Sequence, residues 1–362
     1  MIPSPEGLLL SDGATPTLRR ALQRSSDLPA ATTDDEGPTV EKIILDCDPG
    51  HDDAIAILLA AANPAIDLLG ITTVAGNHTI ENVTRNALAV CTAYGIQVPV
   101  ARGAEGPLIG PQTLAKEIHG ETGLDGPVLP PASFELDGRH GVDCIETVMA
   151  HEPKTITLVP VGPYTNIALA VRKEPRIVER VKAAVCMGGS YTRGNVTPVG
   201  EFNVYADPEA ADIVFRSDWD VTMVGLDLTH QALARPELQE RVRAVGGPIS
   251  QFMLDVWAFV TMTMGDVLQI EAPAVHDACC VARLIDPTVF TVEKADVRVE
   301  TVGRWTKGQT VANFERYGGM RHFGGTAMEQ VDFRHNVAMK LDWDKFADLI
   351  VDSVKRLTSL RT

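Results

Sequence analysis

Across 362 residues there is no CxxC pair, no apolar run of membrane-spanning length, no internal repeat and no low-complexity block. Basic residues are also in short supply, 32 lysines and arginines against 48 aspartates and glutamates, for a formal net charge of −16. A surface of that sign repels nucleic acid and anionic membrane and favours a small neutral or cationic ligand, although solubility alone also accounts for it. The six cysteines (Cys47, Cys91, Cys144, Cys186, Cys279 and Cys280) sit mostly in apolar runs such as AVCMGG and ACCVAR. They fit buried, reduced thiols of a cytoplasmic protein better than a disulfide framework or a zinc site. Without roughly 20 consecutive apolar residues, no transmembrane helix is expected. The start MIPSPEGLLL lacks the basic region and long apolar core of a signal peptide, and residues 1–40 read as a flexible polar tail.

From Lys42 onward the chain alternates short apolar runs with helical patterns. KIILD, LLGITTVAG, VPVARG, TITLVPVG, VKAAVCMGG and DVTMVGLDLT have the continuous hydrophobicity of strands buried on both faces. Between them lie DDAIAILLAAAN, ENVTRNALAVCTAYG, PYTNIALAV and PEAADIVFR, with apolar residues at helical spacing. VRVETVG and NVAMKLD are later strand candidates, and DWDKFADLIVDSVKRL is a closing helix. Strands alternating with helices predict one α/β domain over 41–362, with a mainly parallel, Rossmann-like central sheet flanked by helices.

In such sheets ligands bind beyond the carboxyl ends of the strands. The polar residues here gather at those ends. Asp46, Asp48, Asp52 and Asp53 follow the first strand, Asn77 the second, Val161 a later one and Met187 another. In DCDPGHDDA, Asp52 could simply cap the following helix. Several acids at one strand end repel each other unless a cation sits among them, and oxygen-only ligands suit calcium or magnesium. Cap and metal site both stay open on this segment alone. In AVHDACCVA, Asp277 and His276 likewise stand where an apolar helix begins, as cap and packed histidine or as site residues. GGSYTRGNVTPVGEFNVYADPEAA crowds Asn195, Glu201 and Asn203 onto a glycine-bearing loop, groups suited to reading hydroxyls and equally to forming turns.

Together these segments resemble the inosine-uridine nucleoside hydrolase family. DCDPGHDDA is similar to its DxDPGxDDA signature, and ITTVAGN, IHGETGLDG, LVPVGPYTNIA, MGGSYTRGNVTPVGEFN and AVHDACCVA match further segments in order, from Glu41 to the C-terminus. The resemblance implies calcium held by Asp48, Asp53, Asp277 and the backbone carbonyl of Val161. It makes Asp48 the general base toward water, with Asn77 orienting that water. Asp52, Asn195, Glu201 and Asn203 would bind the ribose hydroxyls, with the Met187 backbone nearby. His276 would serve the departing base, grouping the chain with the histidine type. His119 would lie on a mobile loop facing the base, and Phe202 near the sugar. The implied substrate is a nucleoside, cleaved by water, in a homodimer or homotetramer.

The segment FMLDVWAFVTMTMGDVLQIEA would complete the pocket wall. Relatives carry tyrosines and an arginine there, whereas this chain has Trp257, Phe259, Met262 and Met264, residues that also suit plain core packing on a helix. Base preference is therefore left open. An aspartyl-phosphatase reading of the acidic strand end gives no role to Asp52 and Asp53. A binder of calcium and nucleoside without turnover is the other alternative, against which stand Asp48, Asn77 and His276.

Overall fold

The computed structural model describes residues 40–268, 272–314 and 331–360, with the side chains of 264–268 excepted. The tail expected over 1–40 thus lies, but for Val40, outside the described residues, as does the side chain of Met264. In chain order the first half comprises β1 (Glu41–Cys47), α1 (His51–Ala62), β2 (Ile66–Thr73), α2 (Ile80–Tyr94), β3 (Val100–Arg102), α3 (Lys116–His119), α4 (Cys144–Ala150), β4 (Ile156–Pro160), α5 (Thr165–Lys173) and α6 (Ile177–Arg180). It continues with β5 (Ala183–Met187), α7 (Phe202–Ala206), α8 (Pro208–Arg216), β6 (Val221–Val224), α9 (Leu226–Thr229), α10 (Pro236–Val245), α11 (Gly247–Leu268) and α12 (Ala278–Ile285). β7 (Phe290–Val299), β8 (Thr310–Phe314), β9 (His335–Leu341) and α13 (Trp343–Ser359) complete it.

The strands form one sheet in the order β3-β2-β1-β4-β5-β6-β9-β7-β8. β1 to β6 and β9 pair in parallel, and the antiparallel β7 joins β9 to β8. The expected mainly parallel α/β sheet is what the chain forms. β7 begins at Phe290, well before the VRVETVG run, and β8 was not anticipated. Both pair antiparallel, and β7 is buried only at Phe290 and over Ala295–Val297, which gives it a half-polar sequence that hides a strand.

Side chains alternate across β1: Ile43, Leu45 and Cys47 enter the core that α1, α11, α12 and α13 cover, and Ile44 enters the core under α5 and α8. α1 has ten of its twelve residues buried, as a helix apolar almost all round requires. All six cysteines are free and buried. No helix among the described residues is long and apolar enough to cross a membrane.

The chain leaves β1 for β2 on one side, and β4 lies on its other side. That reversal opens a crevice at the carboxyl ends of β1 and β4. A buried polar network fastens its floor. Asp46 accepts hydrogen bonds from Thr72 of β2 and from Asn166 Nδ2 of α5 (2.7 Å), and the same amide reaches Thr73 O at 2.9 Å. Burial pushes Asp46 up to about 7.

Candidate active site

The crevice is lined first by the β1–α1 turn. Gly50 is the N-cap of α1, and Asp53, three residues on, folds back over the turn. Its Oδ1 accepts from Asp48 N–H and its Oδ2 from Gly50 N–H, both at 3.0 Å. Asp53 therefore does the capping that the sequence also allowed Asp52. Asp277 precedes α12 without any side-chain capping bond. Its carboxylate is left for other work.

One oxygen each of Asp52, Asp53 and Asp277 lies within 4.8 Å of the others. Asp48 touches the carboxylate of Asp53, and Asp52 that of Asp277. Asp48 Oδ2 accepts from Asn77 N–H at 2.6 Å, whereas Asp48 Oδ1 is buried with no hydrogen-bond partner. Asn77 Nδ2 donates to Asp48 O and to Asp53 Oδ2, at 3.1 and 2.9 Å, joining the two acids from the β2 side. No lysine or arginine pairs with these four acids among the described residues. Burial, then the charge of Asp52, pushes Asp53 up to about 7, and burial pushes Asp52 up to about 6. Asp48 and Asp277 are raised by burial and then by neighbouring carboxylates. Such a group demands positive charge, and an orphaned buried carboxylate oxygen among carboxylates fits a hard cation.

The carbonyl of Val161, just past β4, accepts from Asn203 Nδ2 at 2.7 Å, which leaves a second lone pair on that oxygen. Asn203 Nδ2 also lies 3.2 Å from Met187 O, which Tyr164 Oη bonds as well at 2.9 Å. Glu201 caps the short α7, accepting from Asn203 and Val204 N–H, and holds Gly189 N–H at 2.8 Å. Gly189 has φ +74°, and a side chain at Gly188 would meet the Tyr164 hydroxyl at 2.4 Å, so this loop needs both glycines. Burial raises Glu201 to about 7. Asn195 is exposed, and its Oδ1 accepts from the N–H of the half-buried Phe202 at 2.9 Å.

His276 is half-buried, with Nδ1 2.7 Å from Thr229 Oγ1, and burial depresses it to about 4. His230, which the sequence did not single out, sets its ring 5.8 Å from that of His276. His119 ends the single turn of α3 and is buried rather than displayed on an open loop. Its Nδ1 lies 3.0 Å from Nδ1 of His51, and the two rings stack at 5.2 Å. His51 in turn stacks on Phe259 of α11 at 4.9 Å. Trp257 is core, as plain packing would have it, and Met262 is exposed. DCDPGHDDA displays His51 without marking it as more than a helix residue; only its distant partners do.

The family model for inosine-uridine preferring nucleoside hydrolase matches residues 43–348. The chain is 53% identical over 319 residues to the inosine-uridine preferring nucleoside hydrolase of Leishmania major, covering 87% of this chain and 98% of that one. It is 46% identical over 273 residues to the pyrimidine-specific ribonucleoside hydrolase RihB of Escherichia coli, covering 75% and 87%. Among solved structures, the purine-preferring ribonucleoside hydrolase of Gardnerella vaginalis superposes with a TM-score of 0.79 at 30% identity, over 88% of this chain and all of that one. With the acidic crevice at the sheet's reversal and a match spanning nearly every element, this chain belongs to the inosine-uridine preferring nucleoside hydrolase family.

Proposed function

We propose that the protein hydrolyses the N-glycosidic bond of ribonucleosides to ribose and free base, with calcium as its ion, in nucleoside salvage. The observation that carries this is the buried Asp48, Asp53 and Asp277 with the half-buried Asp52, and Asp48 Oδ1 lacking any hydrogen-bond partner among the described residues. Asp48, Asp53, Asp277 and the Val161 carbonyl would hold the calcium. When bound, calcium supplies the charge that gathers the sugar diol and acidifies water.

Asp48 takes the proton of the attacking water, and burial, then the charge of Asp53, raises its carboxylate and so makes it more basic. Asn77, tied to both Asp48 and Asp53, fixes the carboxylate and orients the water. Breaking the bond leaves positive charge on the sugar ring, which the surrounding carboxylates stabilise. Asp52, Glu201, Asn203 and Asn195 bind the ribose hydroxyls beside the Met187 carbonyl, with Phe202 against the sugar and His119 on the base side. We assign Thr229 Oγ1 as the donor to Nδ1, 2.7 Å away; neutral His276 then carries its hydrogen at Nε2, where the departing base can take it. Residues 41–362 act as one domain, in a cytoplasmic homodimer or homotetramer.

The test is ribose release from inosine, adenosine, guanosine, uridine and cytidine, with calcium and with chelator. Calcium-dependent release supports the assignment, and the ranking of the five measures what α11, without tyrosine or arginine from Trp257 to its end, selects. No release from any of them would refute the reading as a ribonucleoside hydrolase.

A further inference from the structure

His51 has no assigned part in the reaction, yet it is a fully enclosed imidazole with both ring nitrogens engaged, at the start of the helix that carries Asp52 and Asp53. Nε2 lies 2.8 Å from the carbonyl oxygen of Asp125, and Nδ1 lies 3.0 Å from Nδ1 of His119. A backbone carbonyl can only accept. The hydrogen between His51 and Asp125 therefore sits on His51 Nε2. Among the described residues no carboxylate oxygen bonds to either ring, and two imidazoles buried face to face and against Phe259 are each held neutral, so Nδ1 of His51 keeps a lone pair. The 3.0 Å contact then requires the hydrogen on His119 Nδ1.

We infer that His51 is a positioning residue that locks His119 in its Nδ1–H tautomer, so that His119 offers the substrate a lone pair at Nε2. His119 Nε2 makes no hydrogen bond among the described residues, which leaves it free for a ligand. The ring is also fixed in place. A side chain on Gly50 would meet His119 Nδ1 at 2.5 Å, and Asn77 Nδ2 lies 3.0 Å from the same point. His119 is thus pressed onto the turn that holds the acids. A histidine in this tautomer accepts a hydrogen bond from a substrate N–H or O–H and cannot protonate the departing base. The two histidines divide the work: His119 accepts and His276 donates. This rests on the reading of the crevice as a nucleoside site.

The tautomer is read in the whole protein, labelled with ¹⁵N-histidine, by long-range ¹H–¹⁵N correlation, with the His119 signals identified by their loss in His119→Ala. The expected spectrum shows a protonated Nδ1 and a bare Nε2 on His119. His51→Phe keeps a ring in the stack but removes the acceptor. His119 should then shift toward the Nε2–H form, and kcat/KM should fall about tenfold, as for one misdirected hydrogen bond. His51→Asn, whose carbonyl restores an acceptor, should return both readouts most of the way. A wild-type His119 already in the Nε2–H form overturns the inference, and so does a His51→Phe protein with tautomer and kcat/KM unaltered. A locked Nδ1–H tautomer combined with full turnover in His119→Ala would uphold the lock while removing His119 from the nucleoside site.

Discussion

Gly162→Ala is the sharpest perturbation of the proposed base, because it adds one methyl and removes nothing. Gly162 lies outside the left-handed region, so its backbone accepts alanine without strain. The new Cβ would stand 2.6 Å from Asp48 Oδ1 and 2.9 Å from both Asp48 Cγ and Val74 Cγ1. Ordinary contact needs 3.4 Å or more, so the carboxylate or the strand end must yield by about 0.5–0.8 Å. The retreating oxygen is the unpartnered one, and Oδ2 is tethered to Asn77 N–H at 2.6 Å, so the carboxylate must rotate or drag that amide along. Overpacking of this kind costs about 1–3 kcal/mol of stability. A base misplaced by that distance costs roughly 10- to 100-fold in kcat. The assay is ribose release at saturating nucleoside and calcium, beside a thermal melt to show that the variant is folded. A folded Gly162→Ala enzyme with wild-type kcat would refute the position-sensitive role of Asp48 Oδ1.

Asp277→Asn removes one of four crowded acids, so the chelated protein should melt higher, by about 2–4 °C per kcal/mol of repulsion relieved, while calcium affinity falls. Melting curves with calcium and with chelator check both directions, and a lower melting temperature in chelator would contradict the crowding argument. His276→Ala should lower turnover of purine nucleosides about 100-fold and spare a nitrophenyl riboside, whose leaving group needs no hydrogen. Equal losses on both would remove His276 from the departing base. His335 is buried between Val297 N–H, which donates to its Nδ1, and Phe215 O, which its Nε2 approaches at 2.8 Å. His335→Ala should cost about 2–4 kcal/mol by urea denaturation, and a loss under 1 kcal/mol would deny that these buried groups go unpaired. Burial holds His335 below its ordinary 6.5, so the unfolded chain binds the extra proton first, and the stability it contributes is present above 6.5 and lost as pH falls. The wild type should therefore lose more stability than His335→Gln between pH 7 and 5, and parallel losses would show that His335 does not bear this linkage.

β1, β4 and β6 were legible because each carries a continuous apolar run, and a strand buried on both faces has no other way to be written. Asp48, Asp52 and Asp53 stood out for the matching reason, as acids ending such a run. Phe290–Val299 escaped in part because one stretch faces two environments, and Thr310–Phe314 is too short to announce a period. Which acid caps α1 could not be read, since Asp52 and Asp53 are chemically alike and only the direction of the turn separates them. His51 shows the deeper limit. Its identity is printed beside the acids, but its partners His119, Asp125 and Phe259 come from the end of α3, the stretch beyond it and α11, and no local pattern records that meeting.

The crevice draws its walls from distant parts of the chain: Asp48 and Asp53 from the first strand–helix turn, Val161 from past β4, and Asp277 from the start of α12. Asp277 is translated some 230 residues after Asp48, an interval of roughly 10–45 s on a ribosome. A nascent chain halted anywhere before α12 carries the early acids without the last member of the cluster. The acidic cluster is thus completed only in the last quarter of the polypeptide.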